Sequence, residues 1–378
     1  MAYAENLLRS VHDYQKLAEQ LLPAPSMHYY AFPGSSSQTY KDSIASFSRY
    51  RFRPQVLADV STRSLSTTVL GEPISFPVGA SPTALHTLAH KDGEIATAKG
   101  VAAANTVLVQ SSFSNRLVSE VAASAPKGLR WIQAYLFKDR RITEHLIKEA
   151  ERAGYKAIVF TVDSPVCGPN YGLEDDYSFF TEDQQTHNNL EFGLAEFEEA
   201  KKRGLPGMLD YYNKQFDSCL TWDDVRWFRR ITSLPIVCKG ILTAKAARQA
   251  TDAGVDGILV SAHGGRLLDG LPAPIDALAE VVEAVRGRNV EVYMDGGVRT
   301  GADVLKALAR GAKAVFVGRP ILWGLACKGD AGVKHVLDIL RSELDYAMAL
   351  CGCKDVNSIP SDVVVHESYY QYNPKHKL

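Results

Sequence analysis

Three stretches decide the fold: Ala153-Gly154-Tyr155-Lys156-Ala157-Ile158-Val159-Phe160, Ala253-Gly254-Val255-Asp256-Gly257-Ile258-Leu259-Val260 and Arg310-Gly311-Ala312-Lys313-Ala314-Val315-Phe316-Val317. They follow helix-like segments, ITEHLIKEAERA, TAKAARQATDA and TGADVLKALAR. Glycine stands where a helix C-terminus needs a left-handed residue. A short apolar run without alternation comes next, as expected of a parallel strand buried on both faces. This is the helix-to-strand half of a βα unit, repeated.

Working outward, similar strands fall near 74–81 (ISFPVGAS), 106–112 (TVLVQSS), 129–136 (LRWIQAYL), 234–240 (LPIVCKG) and 290–297 (VEVYMDGG). Eight alternating units over roughly 250 residues point to an α/β fold, a (βα)8 TIM barrel. The rival, an open doubly wound sheet, is weakened because no Gly-x-Gly-x-x-Gly turn follows the first strand. Residues 1–70 read as a helical extension with a short hairpin. Residues 164–220, after the fourth strand, are far longer than an ordinary βα loop and read as a lid insertion. The expectation is a single barrel domain over 1–378, with 355–378 as a C-terminal tail.

Composition narrows the function classes. The chain has 378 residues, 46% hydrophobic and 22% charged, which excludes a disordered protein. Lys+Arg 42 against Asp+Glu 43 gives a net charge of -1, so no overall field draws nucleic acid or an anionic membrane. No apolar run approaches the ~20 residues of a membrane span. The opening, MAYAENLLRSVHDYQKLAEQLL, is amphipathic and carries acids, so it reads as a first helix and not a signal peptide. Cysteines at 167, 219, 238, 327, 351 and 353 lack metal-ligand spacing and read as reduced thiols, with no metal site expected.

In such a barrel the chemistry sits at the C-terminal ends of the strands. In order, the strands deliver Ser81-Pro82-Thr83-Ala84; Gln110-Ser111-Ser112; Gln133 and Tyr135; Thr161 and Asp163; Lys239; His263 and Arg266; Asp295-Gly296-Gly297-Val298-Arg299; and Gly318-Arg319. Glycine amides can approach a ligand closely, and Arg299 and Arg319 can bond phosphate oxygens. His263 suits a general base, and Asp163 can pair with its imidazolium. Arg266 can hold a carboxylate and Tyr135 a hydroxyl. Lys239 is a fixed cation for an anionic cofactor or intermediate, although a barrel lysine also serves Schiff-base chemistry. The set reads as proton abstraction next to a carboxylate, with a phosphate-bearing cofactor.

The runs SPTAL, QAYLFKDR, IVFTVDSP, LPIVCKGI, SAHGGRLLDG, MDGGVRTGADVLKALA and VFVGRPILWGLA resemble the FMN-dependent 2-hydroxy acid oxidase and dehydrogenase family, which includes glycolate oxidase, lactate oxidase and the flavin domain of flavocytochrome b2. The similarity covers nearly the whole chain. It implies FMN as cofactor and oxidation of a 2-hydroxy acid to the 2-oxo product, with oxygen as the expected acceptor. It implies His263 as the base and Asp163 as its stabilising partner. Arg266 and Tyr29 would bind the substrate carboxylate, and Tyr135 would orient the hydroxyl. Lys239 would stabilise the anionic reduced flavin. Pro82, Thr83 and Ala84 would lie along the flavin, with Ser111, Gln133 and Thr161 on its polar edge. Asp295 would reach the ribityl chain, and Gly297, Arg299, Gly318 and Arg319 would hold the phosphate. Relatives of this kind are often homotetramers, so a homo-oligomer is expected. They are often peroxisomal in eukaryotes, and the end, His376-Lys377-Leu378, keeps two residues of a Ser-Lys-Leu import signal.

The chain departs from the family pattern. Asn170 stands where a second arginine usually clamps the carboxylate, and Ala262 replaces the asparagine before the histidine. The lid after Tyr171 is acidic, with Glu174, Asp175 and Asp176, where a basic run is usual. Three outcomes are open: a short 2-hydroxy acid held by the remaining groups, a substrate without a free carboxylate, or FMN binding with altered or lost turnover. A different FMN barrel of the inosinate-dehydrogenase kind would need a catalytic cysteine, and Cys238 should point away from the pocket by strand alternation.

Overall fold

The computed structural model describes residues 8–166, 188–190, 195–203, 211 and 214–372. The chain enters through helices α1 (Val11–Leu21), α2 (Ala24–Ala31) and α3 (Gln38–Ala45), then strand β1 (Tyr50–Phe52). An antiparallel hairpin follows, β2 (Thr67–Val69) with β3 (Glu72–Ile74). Ser10 caps α1 with a reciprocal capping box to Asp13, as expected where a polar residue precedes an apolar helical face.

Eight parallel strands then close into a barrel: β4 (Val78–Ala80), β5 (Val107–Gln110), β6 (Leu129–Ala134), β7 (Ile158–Thr161), β8 (Ile236–Ile241), β9 (Gly257–Val260), β10 (Glu291–Asp295) and β11 (Ala314–Val317). Each pairs with its neighbour in chain order, and β11 pairs back with β4. The barrel expected from the sequence is therefore present, with one boundary corrected. The stretch 74–81 is two elements, because Ile74 ends the hairpin and Pro77, which has no N–H, separates it from β4.

Strand alternation sorts every strand into two layers. Val107, Val109, Trp131, Val159, Val237, Leu259, Tyr293 and Phe316 form one buried cluster inside the barrel, joined below by Val69 and Ile74 of the hairpin. Leu108, Ile132, Ile158, Cys238, Ile258, Met294 and Val315 belong to the larger cluster that meets the helices. Cys238 therefore faces away from the interior, and burial pushes its thiol up to about 12. The five described cysteines are all unpaired, and Cys167 lies outside the described residues.

The last barrel strand runs into α4 (Arg319–Cys351), which breaks its helical geometry at Lys328 and Gly329. Within the described part of this C-terminal stretch, β12 (Val364–His366) pairs antiparallel with β1, setting Tyr50 against His366. Of the insertion, the described end is anchored where Phe216 bridges to Phe137 and Asp217 meets Arg140 at 2.7 Å. Asn170, Tyr171, Glu174, Asp175 and Asp176 lie outside the described residues, as does His376-Lys377-Leu378. No helix among the described residues is long and apolar enough to cross a membrane.

Candidate active site

Moving two residues up each strand from the apolar interior layer reaches a polar one. From Gly79, Val109, Trp131, Val159, Val237, Leu259, Tyr293 and Phe316 the chain arrives at Ser81, Ser111, Gln133, Thr161, Lys239, Ser261, Asp295 and Gly318. Period-two geometry thus turns one barrel end from core into site. Within this layer Gln133 donates to the Thr161 hydroxyl at 3.0 Å and accepts from the Ser112 amide at 3.0 Å. Ser111 reaches the same Gln133 oxygen at 3.4 Å. Ser81 donates to Asp295 Oδ2 at 2.8 Å, while the buried Asp295 Oδ1 has no hydrogen-bond partner among the described residues.

His263 stands on a turn of three consecutive left-handed residues, His263, Gly264 and Gly265, at φ 53°, 65° and 71°. Glycine tolerates this; a histidine there is strained, and the surroundings hold it. Its amide donates to Ser261 Oγ at 3.1 Å, and its Nδ1 lies 2.9 Å from Asp163 Oδ1. Burial works against the Asp163 charge, but His263, Lys239 and the hydrogen bonds outweigh it and hold the carboxyl at about 2. Asp163 Oδ2 is buried without a partner. Lys239 is only 4% exposed, and its side chain makes no hydrogen bond or salt bridge to a described residue.

Gly240 explains how Asp163 fits. It has φ +107°, and a Cβ there would lie 2.6 Å from both Cβ and Cγ of Asp163. The register of β8 against β9 shifts between Lys239 and Ile241, so this glycine sits at an irregularity that vacates space for the carboxylate.

Arginines seat the N-terminal helices on this end. Arg266 donates to the carbonyls of Tyr29 and Phe32 at 2.7 and 3.2 Å and lies 5.1 Å from the Tyr29 ring centre. Arg319 donates to the carbonyls of Tyr30 and Gly264, both at 2.9 Å. The orphan carbonyls at the end of α2 are thereby satisfied by cations, the favourable sign at a helix C-terminus. Tyr29 is fixed beside Arg266 as a result. Tyr135 packs between Phe113 and Phe216, with ring centres 5.4 and 5.2 Å away.

Pro82, Thr83 and Ala84 are half-buried above β4. Thr83 is hydrogen-bonded to His86 Nε2 at 2.5 Å, and His86 Nδ1 to Thr97 at 2.8 Å. Burial lowers the His86 pKa, so the ring acts as a neutral brace. Gly318 lies under Thr83: a Cβ there would be 3.2 Å from the threonine methyl. Gly297, expected to bring its amide to a phosphate, has a packing reason as well, since a Cβ would fall 1.9 Å from the Ser43 carbonyl oxygen. His86, Gly240 and Ser43 were not among the residues expected from sequence. Their partners lie on elements whose crossing no local pattern reveals.

These residues fit FMN. Arg266, Arg299 and Arg319 form no salt bridge with a described residue, and burial followed by repulsion from Arg266 and Arg299 lowers the Arg319 pKa. Three guanidinium groups that form no salt bridge with a described residue, with Asp303 near only Arg299, make a place for an anion such as a phosphate. The unpartnered Asp295 Oδ1 suits a sugar-chain hydroxyl, and the buried Lys239 suits negative charge on a flavin ring.

The comparisons with known proteins agree. The FMN-dependent dehydrogenase family profile matches residues 18–366. The 2-hydroxyacid oxidase 1 of Homo sapiens is 46% identical over 356 residues, 94% of this chain and 95% of its own length. A peroxisomal (S)-2-hydroxyacid oxidase of Arabidopsis thaliana is 45% identical over 359 residues, 95% of this chain and 97% of its own. Mandelate oxidase with (S)-2-phenylpropionate superposes with a TM-score of 0.80 at 34% identity, covering 94% of this chain and 98% of that one. With the family profile spanning the barrel and both flanking segments, this chain belongs to the FMN-dependent dehydrogenase family.

Proposed function

We propose that the chain oxidises a 2-hydroxy acid to its 2-oxo product, with oxygen as the final acceptor. The observation that carries this reading is the His263–Asp163 pair beside a buried Lys239 at the polar end of the barrel. The ionised carboxylate accepts the proton on Nδ1, which leaves Nε2 as the basic atom facing a substrate. His263 takes the substrate proton there, and Asp163 stabilises the imidazolium that results. Arg266 and Tyr29 bind the carboxylate, and Tyr135 orients the hydroxyl. When bound, FMN supplies the two-electron acceptor. Lys239 offsets the negative charge that reduction brings to the ring.

For the cofactor itself, Pro82, Thr83 and Ala84 line the ring, and Ser111, Gln133 and Thr161 meet its polar edge. Asp295 meets the ribityl chain. Gly297, Arg299, Gly318 and Arg319 hold the phosphate. We read the chain as one barrel domain, assembling as a homo-oligomer; light scattering on the purified protein tests the latter. The peroxisomal relative and the His376-Lys377-Leu378 end support a peroxisomal location, which a fluorescent fusion with and without those three residues tests.

The deciding experiment is an anaerobic absorbance titration with 2-hydroxy acids and their esters. Bleaching of the oxidised flavin by acids alone is expected. Bleaching by esters as readily would show that the carboxylate is not needed, and no bleaching by either class would overturn the oxidase reading.

A further inference from the structure

Helix α3 reaches the cofactor end of the barrel by a route that local capping does not explain. Its N-cap residue, Ser37, is left-handed at φ 69° and makes no capping bond. Asp269, 230 residues beyond Thr39, does that work instead. It accepts from the Thr39 amide at 2.8 Å, the Gln38 amide at 3.2 Å and the Ser36 hydroxyl at 2.7 Å. The helix then rests on two glycines of the barrel loops. A Cβ at Gly265 would lie 2.8 Å from the Tyr40 nitrogen, and one at Gly297 would lie 1.9 Å from the Ser43 oxygen. The first glycine is in the His263 turn and the second precedes Arg299, so α3 spans both loops.

Seated this way, Tyr40 meets both arginines of the cradle. The Arg319 guanidinium carbon is 4.6 Å from the centre of its ring, and its hydroxyl lies near enough to Arg299 to favour that guanidinium's charge. Two guanidinium groups brought together repel, and a carboxylate would relieve that by cancelling their charge. A phenol holds one cation on its π face and another at its oxygen without cancelling either.

We propose that Tyr40 is a positioning residue for the cofactor phosphate: it orients Arg299 and Arg319 and leaves both charges for the phosphate to satisfy. The proposal rests on the assignment of the phosphate to those two arginines. It makes the N-terminal extension a working part of the FMN site.

The test uses the full chain, stripped of FMN and titrated with FMN and with riboflavin, followed by quenching of flavin fluorescence. Riboflavin carries the same ring and ribityl chain without the phosphate. Tyr40→Phe should weaken FMN binding about threefold to tenfold, and Tyr40→Leu more than about tenfold, the scale of one charge-assisted hydrogen bond and one cation–π contact. Riboflavin affinity should stay within about twofold in both variants, because no phosphate is there to lose its cradle. Equal weakening of both flavins would reduce Tyr40 to general packing and overturn the proposal, as would unchanged binding of both. If Tyr40→Leu does not fold, Tyr40→Phe decides, since it removes one hydroxyl. Arg299→Met separates the two assignments. If that variant fails to discriminate FMN from riboflavin, the phosphate assignment falls. If it discriminates and the Tyr40 variants do not, only the role of Tyr40 falls.

Discussion

His263 Nδ1 lies 2.9 Å from Asp163 Oδ1, although 100 residues of chain separate them. In the proposed reaction Nε2 takes the substrate proton, and Asp163 acts by holding the ring tautomer through Nδ1. Asp163→Asn keeps the size but presents an amide that can donate to Nδ1 and turn the tautomer over. The rate of flavin reduction, followed by anaerobic stopped flow, should fall by about 10²–10⁴, with a much smaller change in KM. A loss confined to KM would remove Asp163 from proton transfer.

The same carboxylate gives a signature in stability. Its folded pKa is about 2 against an ordinary 3.8, so it is depressed, and the stabilisation is present above the unfolded value. It is lost as pH falls from 3.8 through about 2. Urea unfolding of wild type and Asp163→Asn should therefore show a gap that is steady at neutral pH and closes across that acid window. A gap that widens on acidification would contradict the ion pair.

Lys239 is buried and forms no salt bridge with a described residue, although its charge also acts on Asp163, and the proposed role sets it against the negative charge of a reduced ring. Lys239→Met should lower the FMN midpoint potential by about 30–60 mV, the equivalent of losing one hydrogen bond to a charged group. Dye-coupled spectrophotometric titration reads this directly. An unchanged potential would place the ammonium away from the ring.

Gly240 combines a left-handed backbone with a space that Asp163 fills. Gly240→Ala adds strain at φ +107° and a methyl 2.6 Å from the carboxylate carbon. The protein should lose about 2–4 kcal/mol of stability in urea, and flavin reduction should slow by more than tenfold. Full activity in a folded Gly240→Ala protein would mean that Asp163 need not occupy its observed place.

Much of this architecture was readable in one dimension. Glycine followed by an unalternating apolar run located Ile158–Thr161, Gly257–Val260 and Ala314–Val317, because parallel strands bury both faces. Position at the C-terminal ends of the strands picked out Gln133, Thr161, Lys239 and Asp295, and strand alternation set Cys238 off the interior. Ile74 was misplaced because its β-branched character suits a hairpin as well as a barrel strand. Tyr40, His86 and Gly240 carry no such periodic signal. Each owes its position to a residue on a distant element, Arg319, Thr97 or Asp163, and only packing brings those partners together.

The pairing of β1 with β12 also fixes a timetable. Residues 50–52 leave the ribosome long before 364–366, yet neither can complete its small sheet alone. Helix α3 is joined directly to the waiting strand, and its own seat includes Asp269 and Gly297, which are also synthesised late. The first helices of the chain therefore take their final seats only after the late-made strands and loops that hold them exist.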